Sequence, residues 1–314
     1  MGELLLALEL AALAAFTFSR PVLDSFGRSP ETFIARHAST TDIVVFGLVV
    51  AFVPALVVAA LGAATRLGGP TFRQRAHIAL VVLLGGLAAW RIGRDITGWP
   101  NDAAKPVLVG ILVGPLLGLL RWRVPITATF LRYAGVASVI FLLQFLVMSP
   151  TTDLAFGTPA GVDPAVDRQV AADIGDVSPP VVFVVLDALP TASLLDGTGR
   201  VDSELFPNIG ALAAGSTWYR NHTSVAAFTG EAVPALVTGR YPEPDDPDPS
   251  LESENIFTLL GGSYDMHVKE QVTRLCPDTL CPRGASAGIG TLVDDATTWW
   301  QGSDSDEEIG RAHV

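Results

Sequence analysis

The chain has 314 residues, of which 49% are hydrophobic and only 17% charged, and its formal net charge is −12. Mean hydropathy is +0.43 and the sequence pI is near 4.7. An acidic surface repels a phosphate backbone, which argues against nucleic acid as a partner.

These averages hide two unlike halves. Residues 1–150 hold long apolar runs and most of the clustered arginines, whereas 151–314 is acidic and rich in Pro, Gly and Asp. Ile43–Thr65 and Tyr133–Thr152 carry no charge over 23 and 20 residues. A bilayer span needs about 20 apolar residues, so both read as transmembrane helices. Ala76–Trp90 and Pro106–Leu120 are 15 residues each, and Arg75, Arg91, Arg121 and Arg123 beside them can snorkel to lengthen them. Leu4–Ser19 is the fifth span, with Glu9 inside it; the alternative is four spans. It lacks the basic start and small-residue cleavage site of a secretory leader.

Orientation follows Lys and Arg in short loops. Arg66, Arg73 and Arg75 after the second span, and Arg121 and Arg123 after the fourth, have no acids among them. They place those loops in the cytoplasm and the C-terminal half outside, as in a multi-pass cell-membrane protein.

Residues 151–178 read as a linker without periodicity. The run VVFVVLDALP (181–190) follows, rich in Val, and predicts a strand buried on both faces. Residues 206–224 read as turn, short helix and second strand, and Glu231–Thr238 as a helix despite Pro234. The acidic, proline-rich stretch 243–254 reads as a solvated loop, Asn255–Gly261 as a short helix, and Tyr264–Glu270 as another strand. The pattern is α/β, with too few strands for a complete doubly wound domain. Cys276 and Cys281 in LCPDTLC (275–281) are disulfide candidates, free thiols being the alternative.

The chemistry concentrates in two segments. The first brings the carboxylate of Asp187 to a predicted strand end, where ligands gather in open α/β sheets. The second, FTGEAVPALVTGRYP (228–242), brings the hydroxyl of Thr229 to the start of a helix. A Thr hydroxyl needs a base, a metal or a helix N-terminus to act as a nucleophile. Asp187 is a hard oxygen ligand for a divalent cation, which would lower the hydroxyl pKa and polarise a transferred group. Each residue also has an ordinary structural role, Asp187 capping a turn and Thr229 capping a helix. His222 and His267 read as a surface-loop residue and a strand residue, metal ligation being the alternative.

Together VVLDALP, FPN (206–208) with Leu212, and T-G-E-A-V-P-A-L-V-T-G-R resemble the opening of a sulfatase-like domain of the alkaline phosphatase superfamily. The sulfatase nucleophile segment runs C-x-P-S-R-x-x-L-x-T-G-R; Leu236, Thr238, Gly239 and Arg240 match it, and Thr229 falls at the nucleophile. The chain is also similar to membrane-anchored lipoteichoic acid synthases and phosphoethanolamine transferases, which use a Thr nucleophile. The resemblance implies a helical transmembrane region followed by an incomplete α/β, mostly parallel-sheet domain over 179–307. It implies a metal-dependent hydrolase or transferase acting on phosphate or sulfate esters, with Thr229 as nucleophile and Asp187 and Thr229 on a divalent ion (Mn, Mg, Ca or Zn). The sequence departs from the pattern at Ala188, where a second acid often stands, and around Thr229, where the context for formylglycine is missing. A non-catalytic ligand- or partner-binding membrane protein of the same fold is the alternative. The terminal IGRAHV (309–314) matches the translation of a sequencing-library adapter, so 308–314 reads as a scar. The family's remaining ligands would then lie in missing sequence, and this fragment would be inactive.

Overall fold

The computed structural model describes residues 2–97, 104–157, 179–186, 189–219, 221–242, 254–270, 273–282 and 286–301. The chain divides into two compact units, the first formed by 1–159, 269–274 and 282–314, the second by 160–268 and 275–281.

The first unit is helical. In order come α1 (Gly2–Ala14), a π-helical turn (Ala15–Ser19), α2 (Arg20–Arg28), α3 (Pro30–Ala35), α4 (Thr40–Ala64), a 3-10 turn (Thr65–Gly68), α5 (Gly69–Thr97), α6 (Ala104–Arg123), α7 (Pro125–Ala134), α8 (Ala137–Met148) and α9 (Thr151–Phe156). Among the described residues four stretches are long and apolar enough to cross a bilayer: Glu3–Arg28, Thr40–Arg94, Ala104–Arg123 and Pro125–Met148. The second holds two helices, because Gly69, with φ of 86°, takes a backbone conformation that side-chain-bearing residues avoid and lets the chain reverse. The arrangement suits a multi-pass membrane protein.

Packing follows the demands of an apolar solvent. Lipid tails compete with side chains, so helices associate through close backbone approach and internal polar contacts. Gly110, Gly114 and Gly118 form a stripe on α6 against Val82 and Gly86 of α5. A side chain at Gly86 or Gly110 would run into the other's carbonyl oxygen, at 2.9 and 2.8 Å. The π-helical turn is tied down as well: Thr17 Oγ1 donates to the Leu13 carbonyl at 2.7 Å, and Ser19 Oγ donates to Ala51 of α4 at 3.3 Å.

A later helix, Gly288–Gln301, belongs to this same unit. Its Asp295 accepts two hydrogen bonds from Arg36, at 3.0 and 2.8 Å. Trp299 is buried beside Phe26, the Arg91 guanidinium lies 4.2 Å over its ring, and Trp300 Nε1 donates to the Thr17 carbonyl. The indole therefore occupies a backbone acceptor in the π-helical turn, where the regular helical ladder is interrupted. Residues 151–156, which read as linker, form α9 instead: Thr151 Oγ1 donates to the Phe26 and Gly27 carbonyls, and Leu154 is buried.

The second unit corrects the fold expectation. An α/β, mostly parallel sheet does not form: among the described residues the only β pairing is an isolated antiparallel bridge, Leu195 to Val201. Val181–Leu186 has no helix or strand assignment, and its six apolar side chains are exposed, Val182 at 84%. β-branched residues favour extension, but a strand exists only where another backbone accepts its hydrogen bonds, and none of the described residues pairs with it. Residues 216–219, 221–224 and 264–270 likewise carry no strand. The helices are α10 (Pro207–Gly215), α11 (Thr229–Thr238) and α12 (Ile256–Leu260), after a 3-10 turn at Thr191–Leu194. With these in place, Gly288–Gln301 is α13. Cys276 and Cys281 are joined by a disulfide, and the neighbouring Leu275 carbonyl accepts from Asn255 Nδ2.

Candidate functional site

In the second unit, the loop before α11 and the extended run before the 3-10 turn line an open cavity of about 970 Å³. Thr229 stands in its wall as the first residue of α11, half-buried, with Phe228 at the N-cap. Sequence reading starts this helix at Glu231; it begins two residues earlier, which moves Thr229 from the approach to the helix into its positive end. There the aligned peptide dipoles favour negative charge. Glu231 in the first turn complements the same dipole. Pro234 lies inside the helix and supplies no N–H to the ladder.

The other end of α11 explains the T-G-R match in structural terms. Gly239, with φ of 71°, is the left-handed cap and donates to the Ala235 carbonyl. Thr238 Oγ1 donates back to Pro234 at 2.8 Å and accepts from the Arg240 N–H at 3.2 Å. This turn holds Arg240, which also lines the cavity, and its guanidinium pairs with Glu254. A Gly cap followed by a cation at a helix C-terminus stabilises any helix, so those three residues have a complete local role.

Asp187 and Ala188 lie outside the described residues. Val185, Leu186, Leu189 and Pro190, on either side of them, line the same cavity as Thr229. The two segments singled out in the sequence thus meet at one site. His222 and Ser224 line it too, both from exposed loop positions. His267 does not: its Nε2 is 3.6 Å from Asp265 Oδ2 in an almost fully exposed pair. The hydroxyls of Thr191, Ser224 and Tyr241 were not foreseen as part of the wall. They carry no spacing signature, and only the folding of the two loops brings them together.

A hard divalent cation takes six or more oxygen ligands. Among the described residues no group of three or more His, Cys, Asp or Glu side chains is placed to hold a metal ion. The described wall, one imidazole, one guanidinium and several hydroxyls beside apolar side chains, does not fit such an ion by itself. It is an open site of apolar side chains with several hydroxyls, one of them that of Thr229 at a helix N-terminus. Comparison with family models, with curated proteins and with solved structures finds no match in any of the three.

Proposed function

We propose that the protein is a membrane-anchored hydrolase or transferase of phosphate or sulfate esters, with Thr229 as its nucleophile. The observation that supports it is the position of Thr229: first residue of a ten-residue helix, in the wall of a cavity that the segments flanking Asp187 also line. The helix N-terminus favours an anionic ester beside it. Thr229 Oγ forms the bond to phosphorus or sulfur as the ester oxygen leaves and takes a proton. The hydroxyl's own proton passes to a base, and the imidazole of His222 lines the same cavity. Water or an acceptor alcohol then takes the group from threonine. Asp187 is proposed as ligand to a divalent cation, and the second unit as extracytoplasmic, because the span ending at Met148 starts from the arginine-bearing end of the bundle.

A second reading, ligand or partner binding without turnover, is favoured by the apolar share of the wall: Val185, Leu186, Leu189, Phe228 and Leu236. The experiment uses protein expressed from its full open reading frame, in membranes, with an aryl phosphate and an aryl sulfate as probes. Turnover in wild type that falls at least ~100-fold in Thr229→Ala and Asp187→Asn, is lost on chelation, and leaves a modified Thr229 peptide in the mass spectrum supports the enzyme. Thr229→Ala with unchanged turnover removes the nucleophile assignment. Binding of either ester without turnover supports the second reading.

A further inference from the structure

Glu9 is an acid in the middle of an apolar helix, fully buried, and two guanidinium groups and an imidazole from other helices converge on it. Arg121 of α6 donates through Nε to Oε2 at 2.5 Å and through Nη2 to Oε1 at 3.2 Å. Arg132 of α7 donates through Nε to Oε1 at 2.8 Å. His77 of α5 is 3.0 Å from Oε2. Nearly two turns earlier on α1, Glu3 pairs with Arg66 and Arg73, from the turn before α5 and its first turns. The N-terminus of α1, the C-termini of α4 and α6 and the N-termini of α5 and α7 therefore share one end of the bundle.

Among the described residues the charges there do not balance. Two carboxylates face four guanidinium groups, and Arg75 and Arg123 stand exposed on the same helix ends. Trp122, an exposed interface-type aromatic, lies under Arg123 at 5.0 Å. The surplus is not sealed in. Arg66, Arg73, Arg121 and Arg132 are 51, 28, 19 and 32% exposed, and Arg132 sits seven residues into the span Pro125–Met148. A guanidinium offers five donors, and Glu9 and Glu3 use only part of the set. An intramembrane cation is stable only with a partner, and a phosphodiester matches a guanidinium fork.

We propose that this arginine end is a binding site for anionic phospholipid headgroups. A zwitterionic lipid brings its own ammonium beside the phosphate, so its attraction to surplus positive charge is smaller. The site does not depend on the proposed enzymatic activity and lies in the other unit of the chain.

The test is lipid titration of the purified full-length protein, delipidated in neutral detergent, read by native mass spectrometry with phosphatidylglycerol and phosphatidylcholine. Wild type is expected to bind phosphatidylglycerol at least ~10-fold more tightly. Arg66→Gln with Arg73→Gln should weaken it roughly 25-fold, at about fivefold per basic residue near the headgroups. Arg28→Gln, at the opposite end of the first span, should leave it unchanged. If the double variant loses its helical circular dichroism, Arg75→Gln with Arg123→Gln carries the same expectation. Equal affinity for the two lipids in wild type overturns the proposal, as does an unchanged preference in the folded variant. Displacement of the lipid by millimolar inorganic phosphate also overturns it, in favour of a soluble anion.

Discussion

The closest backbone approach in the α5–α6 pair gives a sharp test of how the membrane region is held. A Cβ at Gly114 would lie 2.5 Å from the Val82 carbonyl oxygen, 3.0 Å from Gly86 Cα and 3.1 Å from Gly86 N. Those are main-chain atoms that no rotamer change can move. Restoring ordinary contact, at about 3.4 Å, requires the helices to part by nearly 1 Å. A gap of that size forfeits a quarter to a half of each dispersion contact, individually ~0.1–0.2 kcal/mol. Over some twenty to thirty atom pairs the loss reaches roughly 0.5–3 kcal/mol, overlapping the usual range for overpacking. Gly93→Ala is the matched control, because among the described residues its new methyl meets Val109 Cγ1 at an ordinary 3.8 Å. We expect Gly114→Ala to lower the thermal midpoint in detergent by several degrees, followed by the fluorescence of Trp90, whose Cβ lies 3.2 Å from a Cβ built on Gly110. Gly93→Ala should leave it within a degree or so. Equal midpoints for the two variants would show that close glycine contact does not hold these helices together.

Two further outcomes follow from the first unit. Asp295→Ala leaves Arg36, 18% exposed, without its two charge-assisted hydrogen bonds. At about 1.5–3 kcal/mol for hydrogen bonds to a charged group, amide exchange along α13 should accelerate at least ~10-fold, and an unchanged rate would mean that the Trp299 and Trp300 contacts alone hold the helix. Glu31, in α3, is held above the usual carboxylate range first by burial, against its own backbone hydrogen bond and one from Ser29. A raised folded-state pKa contributes stability below the unfolded value, near 4.3, that is lost as pH rises through the folded one. Glu31→Gln should therefore raise the thermal midpoint relative to wild type at pH 8 and lose that advantage at pH 4; the same difference at both values would refute the desolvation argument.

How far the sequence discloses this molecule depends on whether a signal is local. Uncharged runs mark α4 and α8 because the bilayer requirement acts on composition over one contiguous stretch. The same rule draws the last span too short: it starts at Tyr133 because Arg132 looks like a boundary, whereas the helical stretch begins at Pro125. Glu9, 123 positions away, makes Arg132 tolerable there, and no window along the chain contains both. α13 fails for a similar reason. Its amphipathic pattern is readable, but its return to the unit containing Phe26, Arg36 and Arg91 is set by residues more than 190 positions upstream. The run 181–186 shows the converse error: valine content records a preference for extension, while a sheet is a property of at least two segments. Thr229 was found because a helix start is written within a few residues. Its neighbours in the cavity, Thr191 and Tyr241, belong to two loops whose meeting is a tertiary event. The same division separates the two proposals. The nucleophile assignment rests on a local helix N-terminus and the convergence of two segments, and so requires chemistry at Thr229 itself to be observed. The arginine end rests on long-range ion pairs drawn from five elements, so a pair of neutral substitutions at its rim tests whether their surplus charge attracts a lipid.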